Sequence, residues 1–158
     1  MIRPLRYLMM LCLIWPCLAW ADTMQLDTYP QDTNGFLERL DDPQGNLDAQ
    51  AALASSAWRP IPGALNAGFT HDVIWLRLQI RAGQSAPPGW VLKLSNALLD
   101  DVQLYSLKHD GGLASLRSGE ELERTQWPMN YRAPAFPLVL EAEQTQVLLL
   151  RLTTKNAM

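Results

Sequence analysis

Residues 127–132 read Trp, Pro, Met, Asn, Tyr and Arg. Indole and phenol faces stack on the flat apolar faces of sugar rings, and Arg and Asn side chains bond ring hydroxyls. Trp127, Tyr131 and Arg132 therefore form one candidate carbohydrate-binding group, carried on a loop. A second group, Trp75 and Arg77 with Gln79, recurs at every other position, which puts all three on one face of a strand. A competing reading stands beside each group. Trp75, Trp90 and Trp58 also suit the core or rim of a small sandwich, and Arg77 and Arg132 also suit carboxylate pairing or the covering of apolar rings.

Other chemistries find less support. His71 and His109 are far apart and lack a His-x-x-x-His or Cys partner, so no zinc site is expected. No serine sits in a Gly-x-Ser-x-Gly elbow. Asp100 with Asp101 and Glu120 with Glu121 are sequence neighbours, which point to opposite faces of a strand and do not make a glycosidase pair. Asp-rich turns offer oxygen ligands for calcium but lack EF-hand spacing. No catalytic residue, metal ligand or cofactor is expected.

The elements that must position these residues are mostly strands. Residues 73–81 alternate, with Ile74, Leu76, Leu78 and Ile80 on one face and Val73, Trp75, Arg77, Gln79 and Arg81 on the other. Residues 90–94, 101–108, 113–116, 136–140 and 146–152 read as further strands, and residues 36–40 as a short strand or a lead-in to a turn. His109, Asp110, Gly111 and Gly112 predict a tight hairpin turn. Residues 47–55 are Ala- and Leu-rich behind Asp48 and predict one helix of about two turns. Residues 22–34 read as irregular, residues 41–46 as a turn, and residues 120–134 as a long loop. Pro60, Pro62 and Gly63 argue against regular structure after Trp58. About seven short strands with little helix predict an all-β fold, an antiparallel sandwich or jelly roll.

The first 21 residues set the compartment. Arg3 and Arg6 precede an apolar stretch over residues 7–18, and Ala19, Trp20 and Ala21 end it in a small-x-small pattern. That is a secretory signal peptide, cut before Asp22, with an apolar core too short for a confident membrane span. Both cysteines, Cys12 and Cys17, fall inside it, so the mature chain carries no thiol. Lipid attachment at Cys17 is disfavoured because Trp15 and Pro16 stand where small residues are needed. All sixteen acidic residues but only eleven of the thirteen Lys and Arg follow Ala21, a net charge of about −5. That surface, without a basic cluster, makes nucleic acid a poor partner.

One order of residues is familiar. Trp75, Leu76 and Arg77 are followed by Leu99, Asp100, Asp101 and Val102, by Leu104 and Tyr105, by Asp110 and Gly111, and by Arg132 ahead of Phe136, Pro137 and Leu138. This order resembles the type-2 extracellular domain of bacterial seven-transmembrane receptors with diverse intracellular signalling modules (7TMR-DISM). The resemblance runs from about Gly35 to Asn156. It implies a jelly roll like that of carbohydrate-binding modules, spanning residues 35–158, in the periplasm. It implies a carbohydrate ligand, no enzymatic activity, and a following helix bundle that drives a kinase or diguanylate cyclase. The chain would then be the first part of a longer receptor. Two alternatives remain: a free secreted carbohydrate-binding module, and an interaction domain, forming a homodimer for example, with no small ligand.

Overall fold

The computed structural model describes residues 22–29, 31–107 and 111–158. The leader, with Cys12 and Cys17, and the His109 and Asp110 half of the expected hairpin turn lie outside the described residues. Nine strands, one short α-helix and a 3-10 turn make up the rest, so the fold is mostly β.

The longest strand, β4 (Val73–Ala82), organises the larger sheet. Its neighbours are β2 (Leu37–Asp42) on one side and β9 (Thr145–Thr153) on the other, both antiparallel. Beyond β2 lies β3 (Arg59–Ile61), and beyond β9 lie β6 (Asp101–Leu107) and β7 (Leu113–Ser118). β4 outruns β2 at its far end, and β1 (Met24–Leu26) fills that edge in parallel, with Met24 opposite Ile80. The smaller sheet contains β5 (Gly89–Lys93) and β8 (Ala135–Val139), antiparallel, with Trp90 opposite Leu138.

The pairs β4 with β9, β5 with β8 and β6 with β7 are nested. That is the pattern of one antiparallel ribbon folded over itself, with β6 and β7 as its hairpin end, and it is compatible with the jelly roll expected. The second layer is short: two strands cover a sheet of seven. Between the layers lies the main core, where Ile74, Leu76, Leu78 and Ile80 meet Trp90, Phe136 and Leu138.

Three sequence expectations need correction. Residues 22–34 are not all irregular, because Met24 and Leu26 are buried in β1. The alternation is only three residues long, too brief to register as a period. Pro60 does not prevent a strand. It sits opposite Glu38 in β3 at the sheet edge, where a missing N–H costs nothing. Asp41 and Asp42 continue β2 instead of opening the turn. The buried Asp42 carboxylate accepts from the backbone N–H of Asn46 and of Leu47, at 3.1 and 3.0 Å, and so holds the turn from one residue upstream.

The helix, α1 (Ala49–Ala54), starts at Asp48, whose side chain accepts from the Ala51 N–H at 2.7 Å. It buries Ala49 and Ala52 against the outer face of the larger sheet, in a second cluster with Leu40, Val73, Trp75 and Leu149. Both faces of β4 are therefore covered, which explains why all but two of its residues are buried.

Candidate functional site

The two candidate groups read from sequence occupy different parts of the molecule. Trp75 and Arg77 lie on the outer face of β4, beneath α1 and Trp58. Trp75 has no exposed surface, and its ring lies 5.9 Å from Tyr105. It belongs to the core and offers no stacking face. Arg77 is 8% exposed; its Nε donates to Glu38 at 2.6 Å, and its guanidinium lies 4.6 Å from the Trp58 ring centre. The polar-aromatic face expected on this strand exists, but the helix covers it. Helix placement is a tertiary fact that alternation within one strand does not carry.

The second group stays together, on the long loop between β7 and β8. A 3-10 turn (Arg124–Gln126) shapes it. The Arg124 guanidinium lies 3.8 Å from the centre of the Trp127 ring and donates to the Tyr131 carbonyl at 2.9 Å. Trp127 is buried and donates its indole N–H to the Leu122 carbonyl at 3.1 Å. Trp127 is thus a pillar of the loop, already capped by a cation. Tyr131 is 39% exposed, with Asn130 and Arg132 exposed on either side. The Lys93 ammonium, from the end of β5, lies 5.8 Å from the Tyr131 ring. Pro134 fixes the loop to that strand by accepting from the Leu94 N–H at 3.0 Å.

A third feature adjoins this corner. A cleft of about 970 Å³ is lined by residues of both sheets. Its floor is Leu76, Leu78, Ile80, Leu148, Leu150 and Leu152, and its roof is Trp90, Leu92 and Leu138. Gln31, Asn34, Lys93, Ser95 and Asn96 stand among its polar lining residues. Tyr29 closes one side: its hydroxyl donates to the Gly89 carbonyl and its ring lies 4.4 Å from Trp90. Sequence reasoning missed this cleft. Its walls come from six strands, and its polar residues from segments some 60 positions apart. The short second layer is what opens it.

On the outer face of the larger sheet, Asp101 is buried and joins Arg117 at 2.5 Å, Gln103 at 2.7 Å and Arg151 at 3.7 Å. Its bond to Arg117 raises the guanidinium pKa still further, so Arg117 stays charged. Tyr105 is pushed above its ordinary 10.0, first by burial, with Asp101 adding repulsion against the phenolate and Arg151 and Arg117 opposing the shift. These are fixed ion pairs within the sheet. Among the described residues no three metal-ligating side chains converge, and no helix is long and apolar enough to cross a membrane.

A family model described as 7TMR-DISM extracellular 2 covers residues 34–158. No curated protein matches the chain.

Proposed function

The chain belongs to the 7TMR-DISM extracellular 2 family, and from that membership we propose that it is the ligand-sensing part of a receptor, binding a carbohydrate at the Tyr131 corner. The family consists of extracellular domains of membrane receptors, which puts this domain in the periplasm with membrane-embedded parts of a receptor as its partners. Residues 1–21 act as the export signal in this reading, and the domain itself is non-enzymatic.

The observation that carries the carbohydrate reading is the exposure of Tyr131 between Asn130, Arg132 and Lys93. It is the one exposed aromatic of the two candidate groups, and the exposed Asn130 and Arg132 flank it in sequence. Trp127 and Arg124 hold the loop in shape before any ligand arrives. Occupancy biases the receptor only to the extent that the sugar binds one receptor state better than the other. A histidine kinase or diguanylate cyclase output would read that bias.

A glycan array with the purified protein tests this. Binding of at least one glycan class is expected, with a loss of about tenfold on Tyr131→Ala, the order of one aromatic stacking contact. An array without hits, or equal binding by Tyr131→Ala, overturns the carbohydrate reading.

A second reading rests on a separate observation. Val91 is 51% exposed and Val139 81% exposed, on the outer face of the β5–β8 pair. This apolar face suits protein contact, including a homodimer. Light scattering at micromolar concentration separates the two: a dimer dissociated by Val139→Asp supports the interaction reading.

A further inference from the structure

We propose that Phe69 and Leu98 form a docking patch for a lipid bilayer, on which this domain rests at the surface of its membrane. The proposal rests on membership of a family of membrane-receptor domains and not on the carbohydrate reading.

Exposure singles out the two residues. Phe69 is 85% exposed, more than any other large apolar side chain among the described residues, and Leu98 is 54% exposed. They belong to separate loops, after β3 and after β5, yet residues 154–157 bring them to one end of the molecule. Phe69 pairs with Ala157 in an isolated antiparallel bridge. The Leu98 carbonyl accepts from the Thr154 hydroxyl and from the Asn156 side-chain amide, at 3.1 Å each. Cross-strand partners share a face, and Ala157 is exposed as Phe69 is.

The surroundings suit a bilayer. Ala67 and Gly68 lead up to Phe69, and Ala97 precedes Leu98, so no bulky neighbour in sequence holds either tip away from a surface. The main chain beside Phe69 is already paired. The Ala67 N–H donates to the Met158 carbonyl at 2.8 Å, and the Met158 N–H donates to the Gly68 carbonyl at 2.9 Å. Such a tip enters the headgroup region without stripping water from those backbone groups. Lys155 and His71, close by in sequence, are exposed and offer cations to lipid phosphates. Of the nearest carboxylates, Asp100 accepts from the Lys155 backbone N–H, and Asp72 is half-buried ahead of β4.

Size decides between lipid and protein as the occupant. Two large side chains are too few for a stable protein interface, which buries roughly 1,200 Å² or more. A bilayer asks for less. The membrane-embedded parts of a receptor hold the domain beside it and supply the local concentration, so shallow insertion of two apolar tips is enough to set the domain's orientation.

The test is co-flotation of the exported product of residues 1–158 with vesicles of phosphatidylethanolamine and phosphatidylglycerol at millimolar lipid. Vesicles of phosphatidylcholine alone run in parallel. Binding to both is expected, tighter to the anionic mixture. Phe69→Ser and Leu98→Ser are each expected to weaken it by about tenfold. Phe69→Ser is expected to keep the parental melting temperature, because the side chain it removes is exposed; if Leu98→Ser fails to fold, Phe69→Ser carries the comparison. Lys155→Gln is expected to lose about fivefold on the anionic vesicles and nothing on phosphatidylcholine. Val139→Asp, on the other exposed apolar face, and Tyr131→Ala are expected to bind as the parent does, which keeps a failed sugar site distinguishable from a failed patch. Absence of vesicle binding overturns the proposal. So does parental binding by folded Phe69→Ser, or an equal loss in Val139→Asp. Self-association abolished by Phe69→Ser, without any vesicle binding, overturns it too and assigns the patch to a second copy of the chain.

Discussion

Arg77 and Glu38 show how a side chain chosen for function by its type can be absorbed by structure. Both are nearly buried, with side-chain exposures of 9% and 4%, and they meet at 2.6 Å under the Trp58 ring. A buried pair broken from one side leaves a charge without its counter-charge, at a cost of about 3–5 kcal/mol. Glu38→Ala is therefore expected to lower unfolding free energy by about that amount in a urea titration. Arg81 and Glu143 pair at 2.7 Å with side chains 41% and 54% exposed, and Glu143→Gln is expected to change stability by no more than about 1 kcal/mol. Tyr105 gives a pH signature. Burial raises its pKa above 10.0 in the folded state, so the folded form keeps the phenol proton after the unfolded chain has lost it. That contribution is whole below pH 10 and lost as pH climbs through the folded pKa. Urea midpoints measured at pH 9 and pH 11 are expected to fall further for the parent than for Tyr105→Phe. The types of Trp75 and Arg77 were legible in the sequence, but their burial was not, because α1 and Trp58 arrive from elsewhere in the chain.

Elements were legible where they were long or closed by a strong local signal. β4 alternates over ten residues, and its inner row, Ile74, Leu76, Leu78 and Ile80, is the floor of the core. α1 is shorter than the expected span of 47–55, because Ser55 leaves helical geometry and its N–H closes on the Ala52 carbonyl at 3.1 Å. β1 and β3 were invisible because each is three residues long and exists only by pairing with a neighbour already in place. The break after β7 shows the opposite case, a single residue that governs an element. Gly119 has φ +121, and a Cβ there would stand 2.5 Å from the Asp100 carbonyl oxygen. Around it, the N–H groups of Glu120 and Glu121 donate to Leu99 and Asp100 at 2.9 Å each, which docks the start of the Tyr131 loop onto the start of β6. Gly119→Ala combines a disfavoured backbone with a collision against main chain, and is expected to cost about 2 kcal/mol or more. The expected readout is a lowered melting temperature together with loss of glycan binding, since the loop is anchored here.

At the scale of the molecule, a ribbon folded back on itself with only two strands in its second layer explains both the continuous core and the open cleft. Alternation showed that a two-layered sheet protein was to be expected; it could not show how many strands each layer would hold, because that depends on which strands pair. The chain's chemistry also has a whole-molecule consequence that follows from where its cysteines lie. Cys12 and Cys17 both precede the expected cut after Ala21, and the described domain is held by burial, sheet hydrogen bonds and ion pairs. The segment from Asp22 to Met158 is then free of thiols, and its fold is indifferent to the redox state of its compartment. Mass spectrometry of the exported product of residues 1–158, expressed by themselves, is expected to give an N-terminus at Asp22. Thiol titration of the denatured product is expected to read zero, and its melting temperature to be the same with and without reductant. A product that retained Cys17 with a mass increase of acyl groups would replace the cleaved signal with a lipid anchor. Ala21→Trp puts a bulky residue where the peptidase needs a small one, so an unprocessed precursor retaining Cys12 and Cys17 is expected to accumulate. Its two titratable thiols would report the failed cleavage directly.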